Sequence, residues 1–111
     1  MADYIPRRGE FVALTLDPQA GHEQRGRRPA LVVSNDLFNE ATGLCMVCPV
    51  TNTRRGYPFH VDIPEGGPVT GVVMVDQLKS LDFRTRDAQR IGDAPAGVLD
   101  EALSILDAVL Y

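Results

Sequence analysis

The chain is short of the features that staple or anchor a protein. It has 111 residues with only two cysteines and one lysine, Lys79, against ten arginines. No apolar run approaches the length needed to span a bilayer. The start, Met1 to Arg8, lacks the hydrophobic core of a signal peptide. These absences point to a cytoplasmic protein with no membrane association. No linker, internal repeat or low-complexity segment interrupts the sequence, so one domain over residues 1–111 is expected. That length buries a core without disulfide or metal staples. Cys45 and Cys48 have a Cys-x-x-Cys spacing, but they lie in the apolar strand-like run Leu44 to Val50. Residues of opposite parity on a strand face opposite ways. The two sulfurs should therefore diverge, and no second Cys or His pair completes a zinc site. Both read as core residues, and neither a metal nor a cofactor is expected.

What the chain does have is arginine in clusters, at 25–28, 54–55 and 84–90. The net charge is −4 and the pI near 5.0, which argues against wholesale electrostatic binding of nucleic acid but leaves room for a local basic site. The densest stretch is Gly21 to Pro29, with a carboxylate, an imidazole and three guanidiniums leading into the strand Ala30 to Ser34. Pro29 biases Arg28 toward extended backbone, so Arg28, where loop becomes strand, is the best fixed of the three. The plainer alternative is a solvated charged loop.

In order, the pattern predicts a strand at Phe11 to Asp17, a second at Ala30 to Ser34, and a short helix over Leu37 to Ala41. Asn35-Asp36 caps that helix and Thr42-Gly43 closes it. Further strands are expected at Leu44 to Thr51, Phe59 to Ile63 and Gly71 to Gln77. A last one, Lys79 to Phe83, has the preceding strand as its natural partner. Val98, Leu99, Ala102, Leu103, Ile105, Leu106, Val109 and Leu110 recur at helical spacing after Asp93 and Pro95. The expected fold is mainly β with a C-terminal helix (α+β): a small, partly closed antiparallel barrel with the helix against it.

Polar residues close three strand ends: Arg28, Thr51, and the pair Asp76 and Gln77. If these ends meet at one rim, the groups suit charge stabilisation rather than covalent catalysis. Transfer of an RNA phosphodiester fits, because the 2'-hydroxyl of the substrate is its own nucleophile. The protein then supplies a base, a cation and a hydrogen-bond donor. Glu23 is a candidate base, Arg28 a two-pronged clamp on the phosphorane oxygens, and Thr51 a further donor to them. Each has a simpler reading: a surface ion pair for Glu23, a backbone hydrogen bond for Thr51. His22 is another candidate acid or base, or a solvent-facing loop residue. His60 falls on the polar face of its strand and reads as inert. Tyr57 and Phe59 flank Pro58 after a basic loop, placed for stacking on an unpaired base or for packing.

The run Arg8-Gly9-Glu10, Asp17-Pro18, Gly21-His22-Glu23-Gln24 through Arg28-Pro29-Ala30, then Ser34-Asn35-Asp36, resembles the MazF/PemK/Kid family of toxin endoribonucleases. So do Pro49-Val50-Thr51, Gly56-Tyr57-Pro58-Phe59 and Gly71-Val72 through Asp76-Gln77. The resemblance implies an SH3-like, plug-type barrel shared with CcdB, assembled as a homodimer. It implies metal-independent cleavage of single-stranded mRNA at short sequences, leaving a 2',3'-cyclic phosphate and a 5'-hydroxyl, and inhibition by a cognate MazE-like antitoxin. By the same likeness Arg28 and Thr51 take the catalytic positions, with Glu23 contributing. Gln24, Asn35, Tyr57, Asp76, Gln77 and His22 fall where similar proteins contact RNA. The Kid branch is argued to use a loop histidine, a strand arginine and an aspartate; here Met74 stands in the arginine's place, which leaves that triad incomplete. The rival reading is a CcdB-like, non-enzymatic poison that binds a protein target.

Overall fold

The computed structural model describes residues 4–16 and 26–111. Its elements in chain order are β1 (Glu10–Thr15), β2 (Arg27–Val32), α1 (Asp36–Thr42), β3 (Leu44–Thr51), β4 (His60–Asp62) and β5 (Val72–Met74). A single 3-10 turn (Val75–Gln77) then leads to β6 (Lys79–Asp82), β7 (Gln89–Asp93) and α2 (Ala96–Leu110). The strands form one antiparallel sheet in the order β4-β5-β3-β2-β1-β7, with β6 also paired to β3.

The sheet is covered on both faces, so its central strands read as nearly continuous apolar runs rather than alternating ones. Phe11, Leu31, Cys48, Val50, Val61 and Val73 point into one core, which is closed by Val98 and Ala102 of α2. Val12, Leu14, Ala30, Val32, Cys45 and Val47 point into the other, against Leu81 and Phe83. The cysteines therefore lie in different cores, as strand alternation requires. Both thiols are free, and burial pushes each up to about 12, with the Asp76 carboxylate adding to the effect at Cys48.

Helix α1 is built by its ends. The Asn35 Oδ1 accepts from the Phe38 N–H at 2.8 Å, and Gly43, at φ 75°, donates its N–H to the Asn39 carbonyl. Asn39, fully buried, donates to the Pro6 carbonyl at 2.8 Å and accepts from the Ser34 hydroxyl, which tethers the helix to the chain before β1. Glu10 is buried at the start of β1. Its carboxylate accepts from the Tyr4 hydroxyl, from the Arg7 N–H at 2.9 Å and from Arg90 Nε at 2.7 Å, which ties β7 to the N-terminal segment. Among the described residues no helix is long and apolar enough to cross a membrane.

Three sequence expectations are corrected and one strand is added. Strand β2 begins at Arg27, so Arg28 lies within the strand instead of at its mouth. The strand expected through Gln77 stops at Met74, and Val75–Gln77 turn as a 3-10 helix. Strand β6 pairs with β3, not with β5 before it, because the turn between them does not reverse the chain. Both therefore lie along the same edge of β3. Strand β7 has no counterpart in the sequence pattern: Gln89–Asp93 holds one large apolar residue, Ile91, and pairs only at the sheet edge with β1.

Candidate active site at the sheet rim

Strands β2 and β3 are antiparallel, with Ala30 opposite Pro49. Continuing that register by two residues sets Arg28 opposite Thr51. Both lie on the same face, because side chains repeat every second residue along each strand. The start of β2 and the end of β3 thus share a rim. Strand β5 extends the row, since Thr51 pairs with Val72 and Val72 with Asp62. A groove of about 250 Å³ opens at this rim, lined by Arg27, Arg28, Asn52, Pro68, Thr70 and Ile91 among others.

Strand alternation decides which arginine is spent on structure. The Arg27 guanidinium is mostly buried and donates to the carbonyls of Ala13, Arg86 and Asp87 at 3.2, 3.1 and 2.6 Å. It anchors the turn before β7 to β1. Arg28 points the other way, is exposed, and has no hydrogen-bond or ion-pair partner among the described residues. Its guanidinium, with five N–H donors, is carried on a backbone held in the ladder with β1, where Arg28 pairs with Leu14. The half-buried Thr51 accepts from the Thr53 N–H at 3.2 Å through Oγ1. A hydroxyl that accepts keeps its own O–H to donate.

Gly71 backs this rim. It sits at φ 111°, and a Cβ there would stand 2.2 Å from the Thr51 carbonyl oxygen and 2.9 Å from Asn52 Oδ1. Only glycine lets β5 approach β3 this closely. The Asn52 amide oxygen in turn accepts from the Thr70 hydroxyl at 3.1 Å. Sequence reasoning does not single out Asn52 or Thr70; the polar loop after Thr51 is the available signal for Asn52. Arg54 in that loop pairs with Asp62 at 2.8 Å.

Asp76 and Gln77 do not reach this rim. In an antiparallel pair the C-terminal end of β5 lies away from the C-terminal end of β3, so the turn carrying them falls beside the middle of β3, between the Val50–Val73 and Val47–Lys79 pairs. Asn35 is farther still, beyond the opposite end of β2. It caps α1 and borders a separate, mainly apolar cavity of about 320 Å³ with Phe38, Leu103 and Leu106. Tyr57 is half-exposed, and its ring centroid is 5.0 Å from that of His60. Glu23, Gln24 and His22 lie outside the described residues. Among the described residues, no three His, Cys, Asp or Glu side chains converge as a metal set would require.

His60, expected on the polar face of its strand, is covered there. Its side chain is only 7% exposed, with Nε2 3.5 Å from an Asp76 oxygen. It faces the same side as Asp62, but Tyr57 and Asp76 cover it.

The profile of PemK-like, MazF-like toxins of type II toxin-antitoxin systems matches residues 7–110. The chain belongs to this family. It is 38% identical to the endoribonuclease toxin MazF of Escherichia coli strain K12 over 105 residues, covering 95% of this chain and 90% of that protein. The crystal structure of MazF (Form-I) from Deinococcus radiodurans superposes with a TM-score of 0.87 at 50% identity, covering 97% of this chain and 98% of that one. The MazE-MazF (Form-II) structure from the same organism gives 0.85 at 44%, covering 97% of each chain. The expected α+β architecture is thus the observed one.

Proposed function

We propose that this MazF-like chain is an endoribonuclease, the toxin of a toxin-antitoxin pair. It cuts single-stranded mRNA at short sequences in the cytoplasm, without a metal. The substrate 2'-oxygen attacks the adjacent phosphorus as its proton passes to a base, for which Glu23 is the candidate. The P–O5' bond breaks as that oxygen gains a proton, leaving a 2',3'-cyclic phosphate and a 5'-hydroxyl. Arg28 braces the equatorial oxygens with parallel N–H groups, and Thr51 donates one further hydrogen bond. Gln24, Tyr57 and His22 contact RNA near the cut, and Asp76 and Gln77 contact it farther along, beside the middle of β3. Asn35, beyond the far end of β2, contacts RNA away from the cut.

The observation that carries this reading is the exposed Arg28 guanidinium, without a hydrogen-bond or ion-pair partner among the described residues, on the face and rim that it shares with Thr51 when the β2–β3 register is extended by two residues. A homodimer and a MazE-like antitoxin complete the proposal. The apolar cavity beside α2, with Leu110 and Tyr111 exposed nearby, supports a covered surface there. The CcdB-like alternative has no observation in its favour, and it gives no role to an exposed arginine that engages no described residue.

The test uses one RNA in two forms, in excess EDTA. The all-ribose strand should be cut, and a strand with 2'-deoxy sugar at the scissile position should survive. Cleavage of both forms rules out attack by the 2'-oxygen; cleavage of neither rules out metal-independent cleavage of that RNA.

A further inference from the structure

His60 buries a polar atom to no visible structural purpose. Its Nδ1 is buried without a hydrogen-bond partner among the described residues, an arrangement that costs free energy and is uncommon in native folds. The residue stands directly across β4–β5 from Met74, where an apolar side chain would pack without that cost. What the imidazole does provide is a pair of contacts. One flank meets the Tyr57 ring, tilted by 49°, and Nε2 faces Asp76 at 3.5 Å, too long for a settled hydrogen bond.

Both neighbours are partly open to solvent. Tyr57 is 49% exposed and the Asp76 side chain 37%. An aromatic face beside a carboxylate acceptor is the pair of features that grips an unstacked base: the ring stacks on it and the carboxylate accepts from its edge. The backbone holds the two sides together, since the His60 N–H donates to the Tyr57 carbonyl at 3.1 Å and the Val75 N–H to the Phe59 carbonyl at 3.1 Å.

We propose that His60 is a positioning residue that sets the Tyr57 ring and the Asp76 carboxylate as one pocket for an unpaired base bearing an exocyclic amino group. This rests on the reading of the chain as an RNA-cleaving protein and adds a specificity element to it. The imidazole turns Nε2 toward one Asp76 oxygen, 3.5 Å away, and the other oxygen is left for the amino group of adenine, cytosine or guanine. Uracil has no such group and should be disfavoured at this nucleotide.

Binding of uncleavable RNA tests the pocket apart from catalysis. Fluorescently labelled 2'-O-methyl heptamers of A, C and U are titrated at fixed salt and followed by anisotropy. Wild type should bind the A or C heptamer about tenfold more tightly than the U heptamer, the scale of one good base-edge contact. His60→Phe and Asp76→Asn should each remove most of that preference, whereas Arg28→Ala should weaken all three heptamers alike. His60→Gln, which keeps a donor toward Asp76, should restore most of it, a rescue that a merely structural role would not produce. His60→Gln also serves as the decisive variant should His60→Phe fail to fold. An undiminished preference in folded His60→Phe overturns the proposal, as does equal binding of all three heptamers by wild type or absence of rescue by His60→Gln. Cleavage of an all-ribose strand by the same wild-type preparation tests the nuclease reading separately, so failure of the pocket and failure of the nuclease are told apart.

Discussion

Replacing Gly71 by alanine tests how tightly the fold holds Thr51. Two costs combine at this site. The backbone angle of 111° is one that side chains other than glycine's rarely adopt, and the new methyl would sit 2.2 Å from the Thr51 carbonyl oxygen, a backbone atom that yields only if β3 moves. Strain of this kind costs about 1–3 kcal/mol, and overpacking about as much again. The total of about 2–6 kcal/mol falls within reach of the whole stability of a small domain, about 5–15 kcal/mol. For a chain of this length each kcal/mol lowers the melting temperature by about 4 °C, so a fall of roughly 8–24 °C is expected. Two controls separate the costs. Gly66→Ala meets the angle alone, at φ 105° with nothing within 4 Å of the new methyl. Its loss should be about 1–3 kcal/mol. Gly67→Ala has open space and no unusual angle, and should change stability by no more than about 0.5 kcal/mol. The assay is thermal unfolding of all three variants, followed by RNA cleavage well below the lowest midpoint. Displacement of Thr51 by about an ångström should slow Gly71→Ala by up to roughly 100-fold. A Gly71→Ala variant melting no lower than Gly66→Ala refutes the close approach. A destabilised variant that cuts at full rate refutes the role given to Thr51.

Further outcomes follow from the same geometry. Arg28→Ala should lower the cleavage rate by about 10²–10³ while its urea midpoint stays near that of wild type, because the side chain is exposed and engages no described residue; near-full activity removes it from its role. Asn39→Ala should cost about 2–4 kcal/mol by leaving buried groups of Ser34 and Pro6 unpaired, read as a lower denaturation midpoint, and an unchanged midpoint contradicts the tether. The Cys45 and Cys48 thiols are raised by burial from 9.0 to about 12. The fold thus favours their protonated form, a contribution complete below pH 9 and lost as pH climbs toward 12, at about 1.4 kcal/mol per unit for each thiol. Urea midpoints between pH 8 and 11 should fall more steeply for wild type than for a Cys45→Ala, Cys48→Ala chain; parallel curves contradict it.

The linear order of residues was enough for much of the architecture. The caps Asn35 and Gly43 state the limits of α1 because they satisfy groups within one turn. The eight residues of β3 are bounded by a turn before and a polar loop after, and the apolar spacing of α2 follows the helical period. Arg28 and Thr51 could be named because a charged or polar residue at a strand end is a local signal. Long-range pairing was not legible in that way. Only the register between β2 and β3 puts Arg28 and Thr51 on one face, and only strand direction separates them from Asp76 and Gln77. The same holds for His60: alternation along β4 assigned it a polar face, but residues from the preceding loop and from the turn after β5 bury it. A strand's period determines which side a group leaves by, whereas what waits on that side is set by chain arriving from elsewhere.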